Sequence, residues 1–171
     1  MEFLGLIVDK IYPFKKIEKV RKTVRVILVN EKKEIGLLHI KGIDKFGNRD
    51  HYETIGGGVE LNEDLLMTLN REVKEEAGYT IKNIKEIAYI DIQYNLLNRV
   101  DRGYFFYAET NEYVGTNLND YEKEIFKEIK WINLNEIDEF YLNTQVENVG
   151  KMIHQRDYRI IQKAKELGYI D

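Results

Sequence analysis

Glu72, Glu75 and Glu76 fall within little more than one helical turn of the run GGGVELNEDLLMTLNREVKEEAGY, residues 56–79. Like charges three and four residues apart on a helix repel one another. With Leu65 at zero and about 100° per residue, the apolar stripe spans roughly 0–120°, Glu76 sits near 20°, Glu72 near −20° and Glu75 near −80°. These acids border the buried face, whereas a charge kept for solubility belongs opposite it, where Lys74 stands at about 180°. Two unit charges about 5.5 Å apart repel by roughly 3 kcal/mol at an effective dielectric of about 20, so a half-buried trio needs a counter-charge. One source is a bound cation. Several carboxylates, no cysteine, and histidines at 39, 51 and 154 without ligand spacing favour Mg²⁺ or Mn²⁺ over zinc or copper. The other source is ion pairing with Arg71, Lys74 and neighbouring cations.

Such a cluster must be held by a scaffold. Alternating or β-branched runs predict strands at about 3–8, 23–30, 35–41 and 51–55, with turn chemistry at Phe46-Gly47-Asn48. The period then changes: apolar residues at 65, 66, 69, 73 and 77 predict a helix capped by Asn62 and closed by Gly78. Strand patterns return at about 82–95, 102–109 and 128–133. Val146, Val149, Ile153, Ile160, Ala164 and Leu167 form a helical stripe that Asp157 interrupts, so a break is expected there, with Asp157 capping a last helix over about 158–167. The sum is an α/β chain with a mixed sheet, inserted helices and a C-terminal helix. A single domain spans 1–171, with residues 1–20 an N-terminal strand and extension.

Composition narrows the chemistry. A net charge of −4 argues against a broad phosphate-tracking surface, so no long nucleic acid is expected as partner. The absence of cysteine excludes a disulfide framework, a thiolate zinc site and a cysteine nucleophile. The opening MEFLGLIVDK lacks a basic leader and no run is long enough to span a bilayer, which predicts a cytoplasmic protein without a membrane partner.

The acidic stretch resembles the Nudix box, written G-x5-E-x7-R-E-U-x-E-E-x-G-U with U a bulky apolar residue. Gly57, Glu63, Arg71, Glu72, Val73, Glu75, Glu76 and Gly78 match it, and Tyr79 takes the final position. Two departures are peripheral to metal chemistry: Ile55 precedes the glycines where proline is frequent, and Tyr79 replaces an aliphatic residue. The resemblance implies an αβα sandwich and metal-dependent hydrolysis of a nucleoside diphosphate linked to another group X. It implies that Glu72, Glu75, Glu76 and the Gly56 carbonyl hold metal, while Glu63 and Arg71 orient the site. Gly57 and Gly58 would allow close approach of phosphate. The general base implied is either a box glutamate or a downstream acid, with Glu124 and Glu122 ahead of Glu128. Arg49, Arg102 and Lys41 are the candidate phosphate cations, Tyr94 a candidate stacking residue and Glu60 a candidate outer acid.

Other classes stay in view. A nucleotide sensor of the same fold would bind without turnover, but would not need three metal-holding acids. Isopentenyl diphosphate isomerase, a relative in fold, relies on a cysteine that this chain lacks. An RNA-decapping activity sits poorly with the acidic charge. No proline follows Pro13, which lowers ADP-ribose as substrate. The expected partner is a small nucleotide-containing diphosphate, and a homodimer is compatible with this reading.

Overall fold

β-branched and aromatic residues dominate the runs that become strands, and their alternation sorts side chains onto two faces. A computed structural model describes residues 1–171 and contains seven strands: β1 (Glu2–Ile7), β2 (Lys19–Val29), β3 (Glu34–Asp44), β4 (Gly47–Gly58), β5 (Tyr79–Tyr94), β6 (Arg99–Tyr113) and β7 (Phe126–Asn133). They join in the order β1-β5-β6-β2-β4-β3-β7. Two pairs, β1 with β5 and β2 with β6, are parallel and the others antiparallel. Four helices complete the chain: α1 (Leu65–Glu72), α2 (Asp120–Ile125), α3 (Ile137–Asn143) and α4 (Val149–Glu166).

Helices cover both faces, which makes the αβα sandwich. On one side Ile27, Ile90 and Phe105 pack with Ile153, Ile160 and Ala164 of α4. On the other Val26, Leu28 and Phe106 pack with Leu69 of α1 and with Val73 and Ala77 just beyond it. No helix is long and apolar enough to cross a membrane.

The strand that carries the glycines changes partner along its length. β4 pairs with β3 from Gly47 to Thr54, then with β2 from Ile55 to Gly58. At the changeover the Thr54 amide donates to Asp157 Oδ2 at 2.8 Å, and its hydroxyl lies 3.2 Å from Oδ1. This corrects the expected break at Asp157. α4 is continuous from Val149 to Glu166, and Asp157 is a fully buried mid-helix acceptor rather than a cap. The cap of α1 also shifts: Asp64, not Asn62, accepts from the Met67 amide at 2.8 Å, while Asn62 occupies the preceding turn with φ of 68°. Helix α1 gives way to a π turn over Val73–Ala77, closed as expected by Gly78 in the left-handed region. α2 and α3 lie in stretches that the periodicity left without elements.

Candidate active site

The π turn decides which acids are buried. Glu72 and Glu76, nearest the apolar stripe, are 7% and 6% exposed, whereas the Glu75 side chain is 36% exposed. Single π turns inside helices recur at functional sites because they re-aim side chains without ending the helix. Glu76 Oε2 accepts from the Gly56 amide at 2.8 Å, which ties the end of the helix to β4. Gly57 lies flat against Glu72: a Cβ there would stand 2.6 Å from the Glu72 carboxyl carbon, so only glycine lets backbone and acid approach this closely. Gly58 follows, and its carbonyl accepts from Arg71 at 3.2 Å.

Arg71 organises three acids at once. It donates to Glu63 at 2.7 and 3.0 Å, to Glu72 at 2.8 Å and to Glu75 at 3.1 Å. Its hydrogen bonds, with those of Thr68 and the Glu60 amide, hold the Glu63 carboxyl down at about 2. Glu72 behaves differently: burial outweighs Arg71 and raises its carboxyl above the ordinary range. Glu76 goes further, pushed well above it by burial and by the neighbouring Glu72, with Arg25 and the Gly56 amide opposing. Glu76 therefore sits in a pocket of charge that lacks a cation in hydrogen-bond contact.

Gly56, Gly57 and Glu76 open onto a cleft of 570 Å³. Arg21, Arg25, Glu53 and Arg99 line it beside Asp101, with Phe46, Tyr94, Leu97 and Ile153 supplying apolar surface and α2 supplying Tyr121 and Glu122. Burial alone would raise Glu53, but Arg25, His51 and Arg49 hold it well below the ordinary carboxylate range. The loop before α2 is fixed to the π turn, since Asn117 donates to the Glu75 carbonyl at 2.8 Å and Val114 to the Gly78 carbonyl at 2.7 Å.

The structure brings Gly56, Gly57, Gly58, Glu63, Arg71, Glu72, Glu75 and Glu76 together. It disperses others. Arg49 and Tyr94 line the cleft, but Arg49 is engaged by Asp44 at 3.0 Å and Glu53 at 3.8 Å. Arg102 is held by Asp91 through two 2.9 Å bonds, over the Tyr89 ring, and does not line the cleft. Lys41 pairs with Asp50 at the surface. Among the downstream acids, Glu122 lines the cleft, Glu128 lines a smaller cavity that also touches Glu76, and Glu124 is exposed and lines neither. Arg21, Arg25 and Glu53 went unnoticed in the sequence. The signal for Arg25 was present in TVRVILVN, where one charge interrupts an otherwise apolar strand.

No three carboxylates or imidazoles converge closely enough to form a ready coordination shell, and Arg71 occupies Glu72 and Glu75. The donors nevertheless fit a hard divalent cation. They are carboxylate oxygens, two of them are buried and hold a proton more tightly than an ordinary carboxylate, and backbone without Cβ at Gly57 lets the Glu72 carboxylate lie against the strand.

Comparison with known proteins agrees with this geometry. The chain is 38% identical over 61 residues to the NAD-capped RNA hydrolase NudC of Mannheimia succiniciproducens, a match covering 35% of this chain and 23% of that protein. The match thus spans about a quarter of that relative's length. The fold resembles a NUDIX hydrolase from Nitrosomonas europaea, with TM-score 0.59 and 15% identity over 81% of this chain and 88% of that one. It also resembles a MutT NUDIX hydrolase from Burkholderia pseudomallei, with TM-score 0.57 and 16% identity over 81% and 98%. Residues 19–155 match the NUDIX domain, a span that takes in the complete box, the partner-switching strand and the start of α4, and the chain belongs to the Nudix family of hydrolases.

Proposed function

We propose that the protein hydrolyses a phosphoanhydride bond in a small molecule containing a nucleoside diphosphate linked to a further group, and that it does so with Mg²⁺ or Mn²⁺. The observation that carries this reading is the pair of buried carboxylates Glu72 and Glu76, which have one contacting cation between them, Arg71 on Glu72, and leave Glu76 with none at the glycine end of a cleft large enough for a nucleotide. Glu72, Glu75, Glu76 and the Gly56 carbonyl are the groups that hold the metal. When bound, the ion activates water and neutralises phosphate charge.

The chain's own residues do the rest. Arg71 and Glu63 lock the turn on which the acids stand. Gly57 and Gly58 keep the backbone bare where phosphate approaches. Glu122, on the wall of the cleft, is the downstream acid best placed to accept a proton from water. The apolar side formed by Phe46, Tyr94, Leu97 and Ile153 receives the uncharged part of the substrate.

The test is a panel of nucleoside triphosphates, oxidised deoxynucleotides, dinucleoside polyphosphates, ADP-ribose, nucleotide sugars and NADH, incubated with Mg²⁺ in ¹⁸O-water. A nucleoside monophosphate is the expected product, with label reporting the phosphorus attacked. Tight binding of one compound without turnover of any would contradict the reading and identify a nucleotide sensor.

A further inference from the structure

Four arginines line the cleft, and three are already engaged. Arg25 donates to Glu53 at 3.3 Å and to the Thr54 carbonyl. Arg49 is shared between Asp44 and Glu53. Arg99 grips Asp101 through two bonds of 2.6 and 3.0 Å. Lys45 also lines the cleft, from the exposed turn between β3 and β4.

Arg21 is the exception. Its one ion pair is a 3.9 Å contact to Asp101, whose two oxygens already accept from Arg99, and its side chain is 45% exposed. It stands on β2 where that strand meets the glycine end of β4, with Thr23 opposite Gly58. A Cβ on Gly58 would come 2.9 Å from the guanidinium carbon of Arg21, so that glycine is what allows the arginine to lie over the strand. Successive strand residues face opposite ways. Bare backbone at Gly57 thus accommodates the Glu72 carboxylate on one face, and bare backbone at Gly58 accommodates the Arg21 guanidinium on the other.

We infer that Arg21 is the cation that binds the substrate's diphosphate, by paired hydrogen bonds from its guanidinium to non-bridging phosphate oxygens in the cleft that it shares with Glu76. A guanidinium with two free edges matches phosphate geometry, and a lysine would supply the charge without the fork. Asp101, fixed by Arg99, keeps the side chain near the cleft without satisfying it. The assignment rests on the diphosphate reading above and replaces Arg49 and Arg102 as the phosphate cation.

The test needs no knowledge of the natural substrate. Wild type, Arg21→Gln, Arg21→Lys and Arg102→Gln are titrated with methylenediphosphonate and with methylphosphonate in Mg²⁺ buffer, followed by ³¹P NMR. Arg21→Gln is expected to weaken diphosphonate binding by about tenfold or more, and Arg21→Lys to restore part of it. Arg102→Gln should bind as wild type does. The loss should be larger for the diphosphonate than for methylphosphonate; equal loss for both would indicate general loosening of the cleft and overturn the assignment. Unchanged affinity in Arg21→Gln, with wild type binding normally, would overturn it too while leaving the diphosphate reading intact. Failure of the wild type itself to bind diphosphonate would overturn both.

Discussion

Two buried carboxylates grip β4 two residues apart, one from each side of the sheet. Asp157 of α4 accepts from the Thr54 amide and Glu76 of the π turn accepts from the Gly56 amide, both at 2.8 Å. Their charge environments differ. Asp157 also accepts from Arg156 at 2.7 Å and from the Thr54 hydroxyl, so it is a satisfied ion pair inside the core. Glu76 has no cation in contact and Glu72 as a neighbour, so its ionised form is disfavoured. The same local device, an acid pinning a strand amide, therefore serves structure on one side and stores unmet demand for positive charge on the other. Asp157 holds β4 where it leaves β3; Glu76 holds the glycine end of the same strand without a cation of its own in contact.

Opposite signs of response should follow. Asp157→Ala removes the partner of a buried guanidinium and of a buried amide, which is expected to destabilise by about 3–5 kcal/mol, measured by urea unfolding, with no rescue by metal. Loss within about 0.5 kcal/mol would mean that the Arg156–Asp157 pair is dispensable.

Glu76→Gln keeps an acceptor for the Gly56 amide while deleting a disfavoured charge. The metal-free variant is expected to be more stable than wild type by about 1–3 kcal/mol, yet to lose about a hundredfold or more in kcat. A carboxyl raised on folding holds its proton more tightly in the folded state, so the stability gain should widen as pH rises above the ordinary carboxylate range. Glu63→Gln, which disturbs the support of Arg71 and the contacts to Thr68 and the Glu60 amide but removes no buried acid, should reduce kcat less. Equal small losses at both positions would instead describe a solvated acidic face.

A third response belongs to the α4 side alone. Burial depresses His154 from its ordinary 6.5 to about 4, so the unfolded chain takes up this proton first as pH falls. The stability due to the neutral ring is complete above about 6.5 and is lost down through about 4, a change of at most about 3 kcal/mol. Melting curves across that window should flatten in His154→Gln, and the slope should be indifferent to metal.

The helix of the box was legible because its apolar period, its acids and Gly78 are all local signals. Even the burial order of Glu76, Glu72 and Glu75 follows from their angles to the stripe. Asp157 was not legible, because an acid within an apolar stripe reads as a break until its partner is known, and Thr54 lies 103 residues away in sequence. Which arginine is least engaged was not legible for a related reason. Arg49, Arg102 and Arg21 are equivalent as letters, and only the positions of Asp44, Glu53, Asp91 and Asp101 reveal which guanidinium is left unsatisfied. The short helices α2 and α3 carry too few turns to show a period.

The central claim of the proposed function is that Glu76, beside the arginine-paired Glu72, lacks a contacting cation and that a divalent metal supplies it. Thermal melting of chelated wild type and Glu76→Gln, each then titrated with Mg²⁺ or Mn²⁺, tests it directly. Metal at about a hundred times its Kd should stabilise wild type by about 2.7 kcal/mol, a rise of roughly 5–11 °C for a chain of this size, and should leave Glu76→Gln nearly unmoved. An unchanged melting temperature in wild type, together with full turnover in EDTA, would contradict the account.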